Sequence, residues 1–157
     1  MYFKRKELEK FRSFKGPLID VRSPSEYYKG HLPNSINIPL FDNDERSIIG
    51  TIYKKEGRKK AVIEGLKFFE KKMELLLDDL FMSIDSYKTI TNKKDSELFI
   101  RIYCSRGGMR SKSVAWLLEK FKLNFSSNQA ILCERIPPLE QYILINNSLS
   151  FFLVIVL

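Results

Sequence analysis

Leu18-Ile19-Asp20-Val21-Arg22-Ser23-Pro24-Ser25-Glu26 decides the fold. With Pro17 ahead of it, the start of this stretch is the short apolar run of a buried strand, predicted over Pro17 to Arg22. Ser23 then opens a helix. Its side chain can cap, Pro24 suits the first turn, and Glu26 stands three residues after Ser23, as a capping box requires. Gly30-His31-Leu32-Pro33-Asn34 breaks that helix, and Ser35-Ile36-Asn37-Ile38-Pro39 reads as a second short strand ended by proline.

Further along, Asp44 to Asp79 carries a mostly helical pattern. Val62, Leu66, Phe69, Met73 and Leu76 recur at three- and four-residue steps and are predicted to face the core. Thr91 to Ser96 is a polar loop leading into Leu98-Phe99-Ile100-Arg101-Ile102-Tyr103, the best candidate for a central strand. Cys104 stands at its carboxyl end. Ser111 to Lys122 is an amphipathic helix with Val114, Leu117, Leu118 and Phe121 on one face. Strands and helices thus alternate, the pattern of an α/β protein, with no internal repeat and no low-complexity tract.

At 157 residues, 44% hydrophobic and 13% aromatic, the chain has apolar material for one core and hardly for two. A charged fraction of 29% excludes disordered and fibrous classes. Lys and Arg number 27 against 19 Asp and Glu, a formal charge of +8, which suits an anionic partner or simply a lysine-rich surface. The excess is scattered, so charge alone does not choose. Two cysteines, Cys104 and Cys133, are too few for a disulfide scaffold, and the opening MYFKRKELEKF is too polar for a secretory signal. A reducing, cytoplasmic compartment is expected. The longest apolar run, Phe151 to Leu157, is far short of the ~20 residues of a spanning helix, and no membrane anchor is expected.

The chemistry concentrates in Cys104-Ser105-Arg106-Gly107-Gly108-Met109-Arg110. A thiol just ahead of a helix N-terminus feels the partial positive charge of unpaired backbone N–H groups, which favours the thiolate. Arg106 and Arg110 add full charges. Gly107 and Gly108 let the backbone curl so that successive N–H groups form an anion cradle for a thiolate, a persulfide, a selenide or a phosphate-like oxyanion. Cys133, between Leu132 and Glu134 without glycines, is read as inert. His31 sits in a turn and is assigned to local packing rather than to a Cys-His dyad. Two cysteines and one histidine at wide spacing match no common metal-ligand pattern, so no metal is expected.

These stretches together resemble rhodanese-homology domains. Leu18 to Ser23, Glu26 and Gly30 to Pro39 match the family's opening signature, and the later strand, cysteine loop and helix stand where its active loop stands. The resemblance implies a rhodanese-like α/β fold, a five-stranded, mainly parallel sheet with helices on both faces. It makes Cys104 the carrier of a transferred chalcogen, as a persulfide or selenyl sulfide, and Asp20 and Arg22 supports of the fold. A narrower resemblance, from about Pro17 to Phe121, is to the N-terminal half of the bacterial tRNA 2-selenouridine synthase family. Phe41 to Arg46, Gly50 to Lys54, Cys104 to Ser111 and Ser113 to Leu118 carry it. It implies conversion of 2-thiouridine to 2-selenouridine at the tRNA wobble position, by way of a geranylated thiouridine, with selenophosphate as selenium donor and no other cofactor.

That family continues into a domain with a Gly-x-x-x-x-Gly-Lys-[Ser/Thr] phosphate loop, and the motif occurs nowhere in this sequence. The expected organisation is a charged leading segment over 1–14, a rhodanese-like domain over 15–125, and an atypical tail over 126–157. The tail's apolar end resembles the strand that precedes a phosphate loop, so a truncated or frame-shifted product is one expectation, with tRNA bound only weakly. The alternatives are a self-sufficient sulfurtransferase or persulfide carrier, a rhodanese-like phosphatase using the Cys-x-x-x-x-x-Arg spacing of Cys104 and Arg110, and an inactive product.

Overall fold

The computed structural model describes residues 15–92, 99–105 and 109–121, and the course of the strand over 130–135. β1 (Leu18–Asp20) is followed by α1 (Pro24–Tyr28), β2 (Ile36–Asn37), α2 (Asn43–Glu56), α3 (Arg58–Thr91), β3 (Phe99–Cys104), α4 (Met109–Lys120) and β4 (Ala130–Arg135). The strands form one sheet in the order β2-β1-β3-β4, and every pairing is parallel. The expected five strands are therefore four among the described residues. The long connection between β2 and β3 adds no strand to the sheet, being helical from Asn43 to Thr91 apart from Gly57.

Ile19 lies opposite Ile36 on one side and Ile102 on the other, which makes β1 an inner strand and explains its unbroken burial. The ladder runs past the strand ends: the Val21 N–H donates to the Tyr103 carbonyl and the Ile38 N–H to that of Asp20. Because side chains alternate along a strand, Ile19, Ile100, Ile102 and Cys104 share one face. There they form the core with Phe69, Leu76, Leu77, Leu80 and Ile84 of α3 and Val114, Leu117 and Leu118 of α4. Tyr103 belongs to the other face, where its hydroxyl accepts from the Leu32 N–H at 3.0 Å and donates to Ser35 Oγ at 2.9 Å.

Two expectations about helix faces are corrected. The helical stretch is two helices parted at Gly57, whose φ of +87° only glycine adopts without strain. Past that break the buried stripe of α3 runs Ala61, Gly65, Phe69, Leu76, Leu80, Ile84. Leu66, one position and about 100° around the helix from Gly65, is 56% exposed. Gly65 faces the core because Phe41 crosses it so closely that an added Cβ would stand 3.3 Å from the ring. Phe121, expected on the apolar face of the last helix, lies just past the end of α4 and is exposed.

Candidate functional site

Cys104 ends β3, the point where chain leaves sheet. In open parallel α/β sheets this carboxyl edge is where ligands bind. The residue is fully buried in the core cluster, free of any disulfide, and its Sγ lies 3.3 Å from Ser111 Oγ in hydrogen-bond contact. Ser111 belongs to the first turn of α4. That turn's N–H groups have no partner within the helix and favour an anion beside them. A sulfur carrying negative charge is thus offered a hydroxyl donor and a favourable backbone field from the same turn.

Of the loop predicted to cradle it, Arg106, Gly107 and Gly108 lie outside the described residues. Ser105 accepts at Oγ from Arg110 Nη2 at 2.9 Å. Met109 opens α4, and its Sδ accepts from Arg58 Nη2 at 3.6 Å. Arg110 does not stand as a spare cation: its two terminal nitrogens grip Glu26, Nη1 to Oε2 at 2.5 Å and Nη2 to Oε1 at 3.2 Å. The guanidinium that a phosphatase reading needs on a bound ester is therefore already neutralised.

Glu26 is the centre of a junction. Its Oε2 also accepts from the Ser23 N–H at 3.1 Å, completing the expected cap, and its Oε1 lies 3.5 Å from Arg46 Nε of α2. Burial alone would push this carboxyl up, but the hydrogen bond and charge of Arg110, the Ser23 N–H and the charge of Arg46 together hold it down at about 2. Arg46 Nε is buried and meets Glu26 as an ion pair without a hydrogen bond.

Asp20 and Arg22 form a buried ion pair beneath the site. Arg22 Nη2 donates to Asp20 Oδ2 at 2.6 Å and to the Gly30 carbonyl at 2.6 Å, which ties the strand end to the turn after α1. Asn37 Nδ2 donates to the carbonyls of both Asp20 and Arg22, at 2.9 Å each. These residues shape the carboxyl edge of the sheet without being shown at the sulfur. His31 has local roles: Nδ1 lies 3.1 Å from the Tyr27 carbonyl oxygen and the ring stacks on Tyr27. Cys133 is opposite Ile102 in the β4 register. Among the described residues no group of three or more His, Cys, Asp and Glu could hold a metal ion.

A cysteine at the tip of an inner parallel strand, followed by a helix whose first turn reaches back to it, agrees with comparison to known proteins. The model of the rhodanese-like domain family matches residues 4–132. The chain belongs to that family. Among curated relatives of this rhodanese-like domain, the tRNA 2-selenouridine synthase of Proteus mirabilis (strain HI4320) is 39% identical over 106 residues, covering 66% of this chain and 26% of that protein. That of Shewanella frigidimarina (strain NCIMB 400) is 39% identical over 104 residues, with the same shares. The chain thus spans about a quarter of the length of the curated relatives it matches. Among solved structures, the N-terminal domain of a protein from Clostridium difficile 630 named for ATP/GTP binding superposes with a TM-score of 0.60 at 34% identity, covering 82% of this chain and 89% of that one.

From the sequence, Glu26 is a helix cap and part of the opening signature, and Ser111 is part of the stretch that carries the narrower resemblance, with no site role for either. Both had visible signals, but a local role was enough to explain Glu26, and its link to Arg110 spans 84 residues of sequence. No helix among the described residues is long and apolar enough to cross a membrane.

Proposed function

We propose that this rhodanese-like domain carries a sulfur or selenium atom on Cys104 and serves as the chalcogen-handling part of a tRNA 2-selenouridine synthase. The observation that carries the reading is the position of the Cys104 sulfur, at the carboxyl tip of β3 and in contact with the Ser111 hydroxyl of the first turn of α4. Membership of the rhodanese-like family and the printed names of the curated relatives support it. tRNA is the proposed acceptor and selenophosphate the proposed selenium source.

With a sulfane donor such as thiosulfate, the Cys104 thiolate attacks the outer sulfur. A new S–S bond forms, the donor's S–S bond breaks, and sulfite leaves with its electron pair, so the persulfide bears the charge the thiolate had. Ser111 Oγ and the N–H groups opening α4 hold that charge. Selenium in selenophosphate is already at the selenide level, so loading it on Cys104 as a selenyl sulfide takes a two-electron oxidant that the sulfane route does not need: a disulfide is reduced to two thiols as the S–Se bond forms, and water takes the phosphorus as the Se–P bond breaks, so that phosphate leaves.

Intact-protein mass spectrometry tests the reading. After thiosulfate, the chain should gain one sulfur atom that maps to Cys104 and is removed by a reducing thiol, and Cys104→Ala should gain none. A parallel incubation with selenophosphate and a mild oxidant should add one selenium at the same residue. An unmodified wild-type mass under both donors, or an adduct that persists in Cys104→Ala, would overturn the assignment.

A further inference from the structure

Beside the cysteine loop lies a basic elbow that neither the sheet nor the core uses. Between α2 and α3, Tyr53-Lys54-Lys55-Glu56-Gly57-Arg58-Lys59-Lys60 is exposed at every position. It carries five cations against one acid, and that acid, Glu56, is taken by Lys60 at 2.6 Å. Gly57 makes the bend, so the cations at the end of α2 and those at the start of α3 crowd one corner of the surface. The corner is located against the site by one contact, Arg58 Nη2 on Met109 Sδ at the first residue of α4. At the other end of α2, Arg46 faces the Glu26–Arg110 pair with its Nε lacking a hydrogen bond. Met109 and Arg110, which open α4, are thus met by Arg58 at the start of α3 and, through Glu26, by Arg46 near the start of α2.

The geometry points to the α2–α3 elbow as an RNA-docking surface that brings a polyribonucleotide's phosphates alongside the Cys104 loop. This rests on the proposed chalcogen chemistry for its purpose but not for its evidence. Cations in a surface run are usually just solvated, and three things argue against that here. The run is nearly unpaired with acids, it adjoins the reactive loop by a direct contact, and it contains Tyr53, 58% exposed with no core role. Exposed aromatics interleaved with cations are what single-stranded nucleic acid uses, phosphates on the cations and a base on the ring. An acidic protein would meet the same charge but would leave the aromatic without purpose.

The test titrates the full chain with a fluorescent tRNA anticodon stem-loop across a salt series, with poly-glutamate as a second probe. A Lys54→Gln/Lys55→Gln/Lys59→Gln variant should bind the stem-loop roughly tenfold more weakly. Its log–log salt slope should be shallower by about 2, since each phosphate contact on a single strand contributes about 0.7. A charge-matched Lys67→Gln/Lys71→Gln/Lys88→Gln variant, altered farther along α3, should stay within about twofold of wild type, and Tyr53→Ala should weaken binding without changing the slope. Equal losses in the two triple variants, or no loss in the elbow variant, would overturn the proposal. So would poly-glutamate binding as tightly as the stem-loop, an outcome pointing to an acidic protein. Sulfur loading of Cys104 in the elbow variant is read in parallel. If wild type binds RNA at the elbow but takes no sulfur, the chalcogen reading fails and the docking surface stands; the reverse pattern sinks the surface alone.

Discussion

Glu26 is held by the Ser23 N–H at the cap of its own helix, by Arg46 in α2 and by Arg110 in α4, so protonating it loosens three parts of the structure at once. Its carboxyl is depressed from 4.5 to about 2 in the folded protein. The stability it contributes is complete above pH 4.5 and is lost as pH falls towards 2, and it amounts to at most about 3 kcal/mol. Urea denaturation followed from pH 6 downward should show that loss in wild type. Glu26→Gln should be less stable at neutral pH and flatter across the acid window, and an unchanged acid slope would show that Glu26 does not govern it. Asp20→Asn is expected to do more harm at every pH, since it leaves the Arg22 guanidinium buried without its counter-charge, at about 3–5 kcal/mol. The urea midpoint reads this directly, and Asp20→Asn/Arg22→Met should recover part of the loss. Cys104 was legible because a thiol followed by two glycines and two arginines has little use in a core. The Glu26–Arg110 link was not, because residues paired across the fold leave no spacing to read.

At the level of elements, Gly57 and Gly16 separate conformational cost from steric cost. An added Cβ at Gly57 meets nothing within 4 Å, so Gly57→Ala carries only the penalty of a φ of +87°, about 1–3 kcal/mol. Gly16, with φ +147°, lies against β3 so closely that a Cβ would overlap the Phe99 carbonyl, and its own carbonyl accepts from Arg101 Nη2. Gly16→Ala must push β1 and β3 apart and should be the more damaging of the two by urea unfolding; a smaller loss than at Gly57 would show that the strand entry can yield. The strands and caps were legible because Leu18 to Val21 and Phe99 to Tyr103 are continuous apolar runs bounded by turn residues. The phase of α3 was not. Its core contact begins with Ala61 and Gly65, which hydrophobicity ranks below Val62 and Leu66, and only the approach of Phe41 and Ile49 makes small residues right there. Phe69, Met73 and Leu76 of the predicted stripe thus meet the core while Leu66 faces solvent, and the Gly57 break had no apolar signal to announce it.

Over the whole molecule, protection should be greatest where the sheet and both long helices meet. Native-state amide exchange should be slowest at Val21, Ile102 and Leu117, all fully buried, and fastest in the exposed elbow around Gly57. Comparable rates at these places would contradict a single core organised on β1 and β3. Because the sequence holds no phosphate-loop motif, we expect the 157-residue chain to accept sulfur at Cys104 yet not to convert thiolated tRNA to selenouridine by itself; nucleoside analysis after incubation with selenophosphate and tRNA checks this. The strand order has a consequence for how the molecule is made. β1 receives β2 almost at once, but its other partner, β3, is separated from it by both α2 and α3. Closing so long a loop is slow and must precede any reward from pairing. A nascent chain that has left the ribosome as far as Thr91 therefore holds its longest helix with no finished sheet to lie on, and its apolar stripe is open to chaperones or to other chains. Emergence of Phe99–Cys104 ends that interval, and since those same residues bring the thiol, a half-synthesised chain has neither a core nor a reactive sulfur to misplace.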